Sequence, residues 1–99
     1  MKRPTLLVVE DEAALAEVLL DNLQAEGYRV LHAADGASGL ERWQQGAPDL
    51  VVLDVMLPKL DGYALCRTQR ARGDDTPVLF LSAKSAPEER VAGLAAGGD

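Results

Sequence analysis

Pro48-Asp49-Leu50-Val51-Val52-Leu53-Asp54-Val55-Met56-Leu57-Pro58 is the stretch on which the reading of the fold turns. Leu50 to Val51, Val52 and Leu53 form an unbroken apolar run of strand length, without the polar alternation of a half-solvated strand. Such runs suit a parallel sheet covered on both faces. Leu6-Leu7-Val8-Val9 and Val78-Leu79-Phe80-Leu81 repeat the pattern, and Tyr28-Arg29-Val30-Leu31, shorter and charged, reads as an edge strand. Helical patterns lie between these runs. In the first, Leu15, Val18, Leu19 and Leu23 recur at three- and four-residue steps and Gly27 closes the helix. The second runs from about Gly36 to Gln45, with Ala37, Leu40 and Trp43 on one side and Gly46 as its stop, and the third from about Gly62 to Arg72, ended by Gly73. A fourth opens at Ser85-Ala86-Pro87-Glu88, a capping box, and carries Val91, Leu94 and Ala95 to Gly97. Strands alternating with helices through short loops predict a parallel sheet with right-handed crossovers, a doubly wound α/β domain. In that architecture ligands sit at the carboxyl ends of the strands.

Composition narrows the function. Ninety-nine residues fit one domain, expected to span 1–99, and 47% hydrophobic with 26% charged residues places the chain among folded ones. The formal charge of −6 argues against nucleic-acid or anionic-membrane partners, which are gripped by Lys and Arg. No apolar run approaches the roughly 20 residues of a membrane helix. Met1-Lys2-Arg3-Pro4 leads into too short an apolar stretch for a signal peptide. The lone Cys66 excludes an internal disulfide and a cysteine metal cage, and suits a reducing cytoplasm.

Carboxylates stand at the predicted strand ends. The first strand runs into Glu10-Asp11-Glu12, the third into Asp54 and the fourth into Ser82. The first and third strands are neighbours in open sheets of this kind, so Asp11 and Asp54 are expected to face each other across one crevice. Clustered carboxylates raise one another's proton affinity unless a cation offsets them, and Mg2+ accepts such hard oxygen ligands. Single residues carry plainer readings. Asp11 precedes a helix and reads equally as its N-cap, Glu12 suits the positive helix end, and Ser82 alone suits a turn. Asp54 caps no evident helix, and it is the convergence at one sheet edge that points to a site.

These residues resemble the receiver domain of bacterial two-component response regulators. The likeness runs through Leu-Val-Val-Glu10-Asp11-Glu12, Ala34-Asp35-Gly36, the segment from Pro48 to Gly62, and Leu81-Ser82-Ala83-Lys84. The run Asp54-Val55-Met56-Leu57-Pro58-Lys59-Leu60-Asp61-Gly62 is most like receivers that precede a winged-helix DNA-binding domain. The resemblance implies a flavodoxin-like fold with strand order 2-1-3-4. It implies that Asp54 accepts a phosphoryl group from a sensor histidine kinase. Glu10, Asp11, Asp54 and the Met56 carbonyl would hold Mg2+, Ser82 would donate to the phosphoryl group, and Ala83 would leave room for it.

The chain departs from the family after Gly97-Gly98-Asp99, where a fifth strand, a Lys-Pro turn and a fifth helix are expected; neither Lys59 nor Lys84 takes the place of that Lys. The domain is therefore expected to be incomplete at its C-terminal side, and either to be a piece of a longer protein or to associate with a second copy through its fourth strand, whose apolar edge carries neither Pro nor charge. A degenerate receiver serving only as an interaction module is the alternative reading. A dehalogenase-type phosphohydrolase needs an acid two residues after the nucleophile, and Met56 occupies that position. His32 ends the edge strand with no partner set evident around it; Trp43 and Tyr63 read as packing residues and Cys66 as an inert one.

Overall fold

The computed structural model describes residues 3–57 and 61–81. Seven elements follow one another: β1 (Thr5–Val9), α1 (Ala13–Ala25), β2 (Arg29–Ala33), α2 (Gly36–Gly46), β3 (Leu50–Asp54), α3 (Gly62–Ala71) and β4 (Val78–Leu81). The strands form one parallel sheet in the order β2-β1-β3-β4. This is the doubly wound order expected from the sequence, with Arg29-bearing β2 at one edge. The predicted fourth helix, Ser82 and Ala83 lie outside the described residues.

The direction of each crossover decides which face a helix covers. The step from β1 to β2 goes one way along the sheet, and the steps to β3 and β4 go the other. Right-handed crossovers then put α1 on one face and α2 and α3 on the opposite face. Burial agrees: Leu7, Val9, Val51, Leu53 and Val78 join Trp43, Leu65 and Cys66 in one core. Leu6, Val8 and Val52, one residue out of phase on their strands, are buried towards the α1 side. Each such side chain contributes about 1.5–3 kcal/mol by leaving water, so this two-sided core fixes the sheet on which the site is built.

Three local readings need correction. In α1 only Ala16 is buried; Leu15 and Val18 of the expected apolar stripe stand 39% and 55% exposed. α1 lies over β1 and β2, where Leu19 and Leu23 are half-buried, and Leu15 and Val18 stand outside that contact. In α2, Ala37 is exposed and the buried side is Gly36, Gly39 and Trp43. A Cβ on Gly39 would meet Val9 Cγ1 at 2.8 Å, so the helix rests on the sheet through glycines that a search for apolar side chains passes over. The helix also runs through Gly46 and turns at Ala47, whose φ of 44° and ψ of 58° are left-handed. Gly46 serves packing instead, since a Cβ there would come within 2.8 Å of Leu31 Cδ1, and Pro48 prevents continuation. Gly27 and Gly73, with φ of 96° and 86°, do end α1 and α3 as read from the sequence.

Candidate functional site

β1 and β3 run side by side with Val9 opposite Leu53, so the residues that follow, Glu10 and Asp54, emerge together at the carboxyl edge. The Glu10 amide still donates to the Ala33 carbonyl at 3.0 Å, which holds Glu10 in line with the sheet and buries it to 2% exposure. The chain then turns sharply. Glu10 Oε2 accepts from the Glu12 amide at 3.0 Å, and Glu12, not Asp11, is the N-cap of α1, without a capping bond from its side chain. Asp11 is thus released from capping and stands exposed beside Glu10.

Asp54 is the last residue of β3 and remains 8% exposed. Its Oδ1 accepts from the Met56 amide at 3.0 Å, which fixes the carboxylate against the turn that follows. The same turn is tied to two other elements: the Val55 amide donates to the Leu81 carbonyl at 3.0 Å, and the Gly62 amide to the Val55 carbonyl at 2.9 Å. Gly62 is required by space, because a Cβ there would fall 2.3 Å from the Asp54 carbonyl oxygen. Asp61 caps α3 by accepting from the Ala64 amide at 2.8 Å, and Asp35 caps α2 by accepting from the Ser38 amide at 2.8 Å.

Glu10, Asp11 and Asp54 each offer a carboxylate oxygen, and these oxygens lie within 4.8 Å of one another. Asp11 and Asp54 thus meet at one sheet edge, as the sequence led one to expect, and Glu10 joins them. The crowding shows in proton affinity. Burial, opposed by the Glu12 amide and reinforced by the Asp54 and Asp11 carboxyls, pushes Glu10 up from 4.5 to about 7. A buried carboxylate beside two more is costly to ionise, and hard oxygen donors at this spacing fit a small divalent cation that would offset their charge. Met56 lies in the turn beside Asp54 with its side chain 68% exposed. Pro58, Lys59 and Lys84, like Ser82 and Ala83, fall outside the described residues.

One neighbour of the site escaped the sequence reading. His32, taken there to lack partners, has its Nε2 3.0 Å from the Glu10 carbonyl oxygen. A backbone acceptor leaves no mark in residue spacing, and only the β1–β2 register, which sets Val8 opposite His32, could have suggested it. The other side readings hold: Trp43 and Cys66 are core residues, and Tyr63 packs on Phe80 with ring centroids 5.0 Å apart.

A four-stranded parallel sheet with three carboxylates gathered where β1 and β3 end defines a doubly wound α/β domain with an acidic site at its carboxyl edge. The sequence pattern of the response regulator receiver domain matches residues 6–99, and the chain belongs to that family. It is 49% identical over 94 residues to the response regulator MprA of Mycobacterium sp. (strain KMS), covering 95% of this chain and 41% of that protein. The MprA of Mycobacterium leprae (strain TN) is 48% identical, over 95% of this chain and 41% of that protein. The chain thus spans about two fifths of the length of these curated relatives. Among solved structures, the receiver domain of the Francisella response regulator 1452 superposes with a TM-score of 0.91 at 32% identity, over 98% of this chain and 80% of that one. Vibrio cholerae chemotaxis protein CheY4 gives 0.87 at 29% identity, over 98% and 82%. No helix among the described residues is long and apolar enough to cross a membrane.

Proposed function

We propose that this domain receives a phosphoryl group on Asp54 from a sensor histidine kinase and so serves as the input of a two-component signalling pathway in the cytoplasm. The observation that carries the reading is the gathering of Glu10, Asp11 and Asp54 carboxylate oxygens within 4.8 Å at the end of β3. Asp11 and Asp54 would hold Mg2+ directly, with the Met56 carbonyl, while Glu10 would act through water. When bound, the ion would supply positive charge against that developing on the transferred group.

The remaining work falls to the chain. An oxygen of Asp54 forms the new O–P bond as the N–P bond of the phosphohistidine breaks. The Met56 amide on Oδ1 holds the nucleophile in place, the contribution that positioning makes to phosphoryl transfer. Ser82, next in sequence after the register partner of Asp54, would donate its hydroxyl to the phosphoryl group, and Ala83 would leave space for it. Autodephosphorylation would be a side property of the same site, not turnover of an external substrate. In a longer protein, residues 1–99 would act as the receiver domain passing the signal to an output domain, and the likeness of Asp54–Gly62 to receivers that precede winged-helix domains supports a DNA-binding one that regulates transcription.

Incubation with Mg2+ and acetyl phosphate tests the proposal. A mass gain of one phosphoryl group that vanishes in Asp54→Ala is expected; no gain in the parent chain refutes it and favours an interaction module. A second reading concerns self-association. β4 is the outermost of the described strands and Leu79 on it is 52% exposed, which supports pairing of two copies of this 99-residue chain along β4. Light scattering that finds only monomer at high concentration refutes it.

A further inference from the structure

We propose that His32 is a positioning residue for the acidic site, holding the Glu10–Asp11 peptide in the orientation that brings the Asp11 carboxylate to those of Glu10 and Asp54. The inference rests on the reading of that site as a cation-binding phosphoacceptor pocket. His32 pairs with Val8 across β1 and β2, so its half-buried ring stands on the same face as Val8 and extends along β1 towards Glu10. There its Nε2 lies 3.0 Å from the Glu10 carbonyl oxygen. A carbonyl only accepts, so Nε2 carries the hydrogen and donates it. The Glu10 amide donates in turn to the Ala33 carbonyl, one residue further along β2. β2 therefore grips Glu10 at both of its peptide groups.

The second grip is the one that matters for chemistry. The carbonyl held by His32 belongs to the planar peptide linking Glu10 to Asp11, so fixing its oxygen also fixes the Asp11 nitrogen. Asp11 is exposed and contributes nothing as a helix cap, and the structure brings its carboxylate oxygen within 4.8 Å of the others. Rotation of that one peptide would swing Asp11 away from Asp54 without disturbing the sheet. His32 acts where the main-chain ladder of β1 and β2 gives out.

Isothermal titration of the full chain with MgCl2 at neutral to mildly alkaline pH separates this role from simple packing. His32→Leu keeps bulk and loses the donor; His32→Gln keeps a donor the same number of bonds from Cα. Magnesium affinity is expected to fall about tenfold in His32→Leu, the lower end for partners that orient metal ligands, and to stay within about twofold in His32→Gln. Urea unfolding of each variant checks the fold. If the parent chain binds no Mg2+, the reading of the site fails. If the parent binds and His32→Leu binds equally well, or His32→Gln is as weak as His32→Leu, the site stands and the role of His32 is refuted. Should His32→Leu not fold, the imidazole nitrogen spectrum of the parent decides alone. A hydrogen-bearing Nε2 is expected, and a neutral ring protonated only on Nδ1 overturns the proposal.

Discussion

Replacing Glu10 by Gln should stabilise the metal-free protein, and by an amount that depends on pH in a defined way. Glu10 is 2% exposed and its carboxyl is pushed from 4.5 to about 7, by burial first and by Asp54 and Asp11 in addition. An acid that binds protons more tightly when folded makes the folded state more stable where it is protonated. That contribution is complete below pH 4.5, declines as pH rises, and is gone above about 7. The gap between the two values corresponds to about 3 kcal/mol. Gln resembles the protonated acid, and its amide oxygen can still accept from the Glu12 amide as Glu10 Oε2 does. In chelator, Glu10→Gln and parent should differ by less than about 1 kcal/mol at pH 5, and the variant should be more stable by about 3 kcal/mol at pH 8. Urea unfolding followed by the buried Trp43, the one tryptophan of the chain, gives both values. Titrations of groups remote from Glu10 are common to both proteins and cancel in the difference, while those of Asp54 and Asp11, which interact with it, do not. A difference that stays flat between the two pH values refutes the idea that Glu10 is ionised only at the expense of stability.

Gly62→Ala should destabilise by about 1–3 kcal/mol, since overpacking against backbone cannot be relieved by a rotamer change. Its Cβ would strike the Asp54 carbonyl, so calorimetric Mg2+ binding should weaken together with thermal stability, and normal binding in a folded variant counts against the close approach. Asp74 links the end of α3 to the segment before β4. Burial raises its proton affinity, but the Thr76 hydroxyl and amide, Gln69 and Arg70 outweigh it and hold the carboxyl below its ordinary 3.8. Its charge therefore adds stability above that pH, lost as pH falls further. Asp74→Asn should cost about 1 kcal/mol at neutral pH, with the gap closing in acid; a constant gap in urea unfolding would remove the charge from the explanation.

The strands were legible because a sheet covered on both faces demands unbroken apolar runs, and Leu50–Asp54 or Val78–Leu81 have no other economical reading. The strand ends were legible for the same reason: an aspartate closing such a run has nowhere to go but the sheet edge. Details set by close backbone packing were not. Gly46 looked like a helix stop and is a contact with Leu31, while Ala47 takes the left-handed turn. In α1, Leu15 and Val18 have helical spacing but lie off the region where α1 meets β1 and β2, since periodicity identifies a face without saying what covers it. At the site, the sequence placed three carboxylates together but could not tell that Glu10 is buried while Asp11 is exposed. That split comes from a single main-chain bond, Glu10 amide to Ala33 carbonyl, which prolongs the sheet by one residue.

That split would also couple stability to the proposed ion binding. A site made of three exposed carboxylates would cost the fold little and hold an ion weakly, because water would screen every charge. With Glu10 buried, the metal-free domain either keeps a proton on it or gives up about 3 kcal/mol to ionise it. A cation that binds only the folded state returns about 2.7 kcal/mol once its concentration reaches about 100 times its dissociation constant. The two quantities are of one size, so ion binding and deprotonation of Glu10 can proceed together with little net change in stability. The Met56 amide on Asp54 Oδ1, with the main-chain bonds of Val55 to Leu81 and Gly62, holds the Asp54 carboxylate against its turn. On the proposed reading, ion binding would change the charge of the site while the Asp54 carboxylate stays where the sheet puts it.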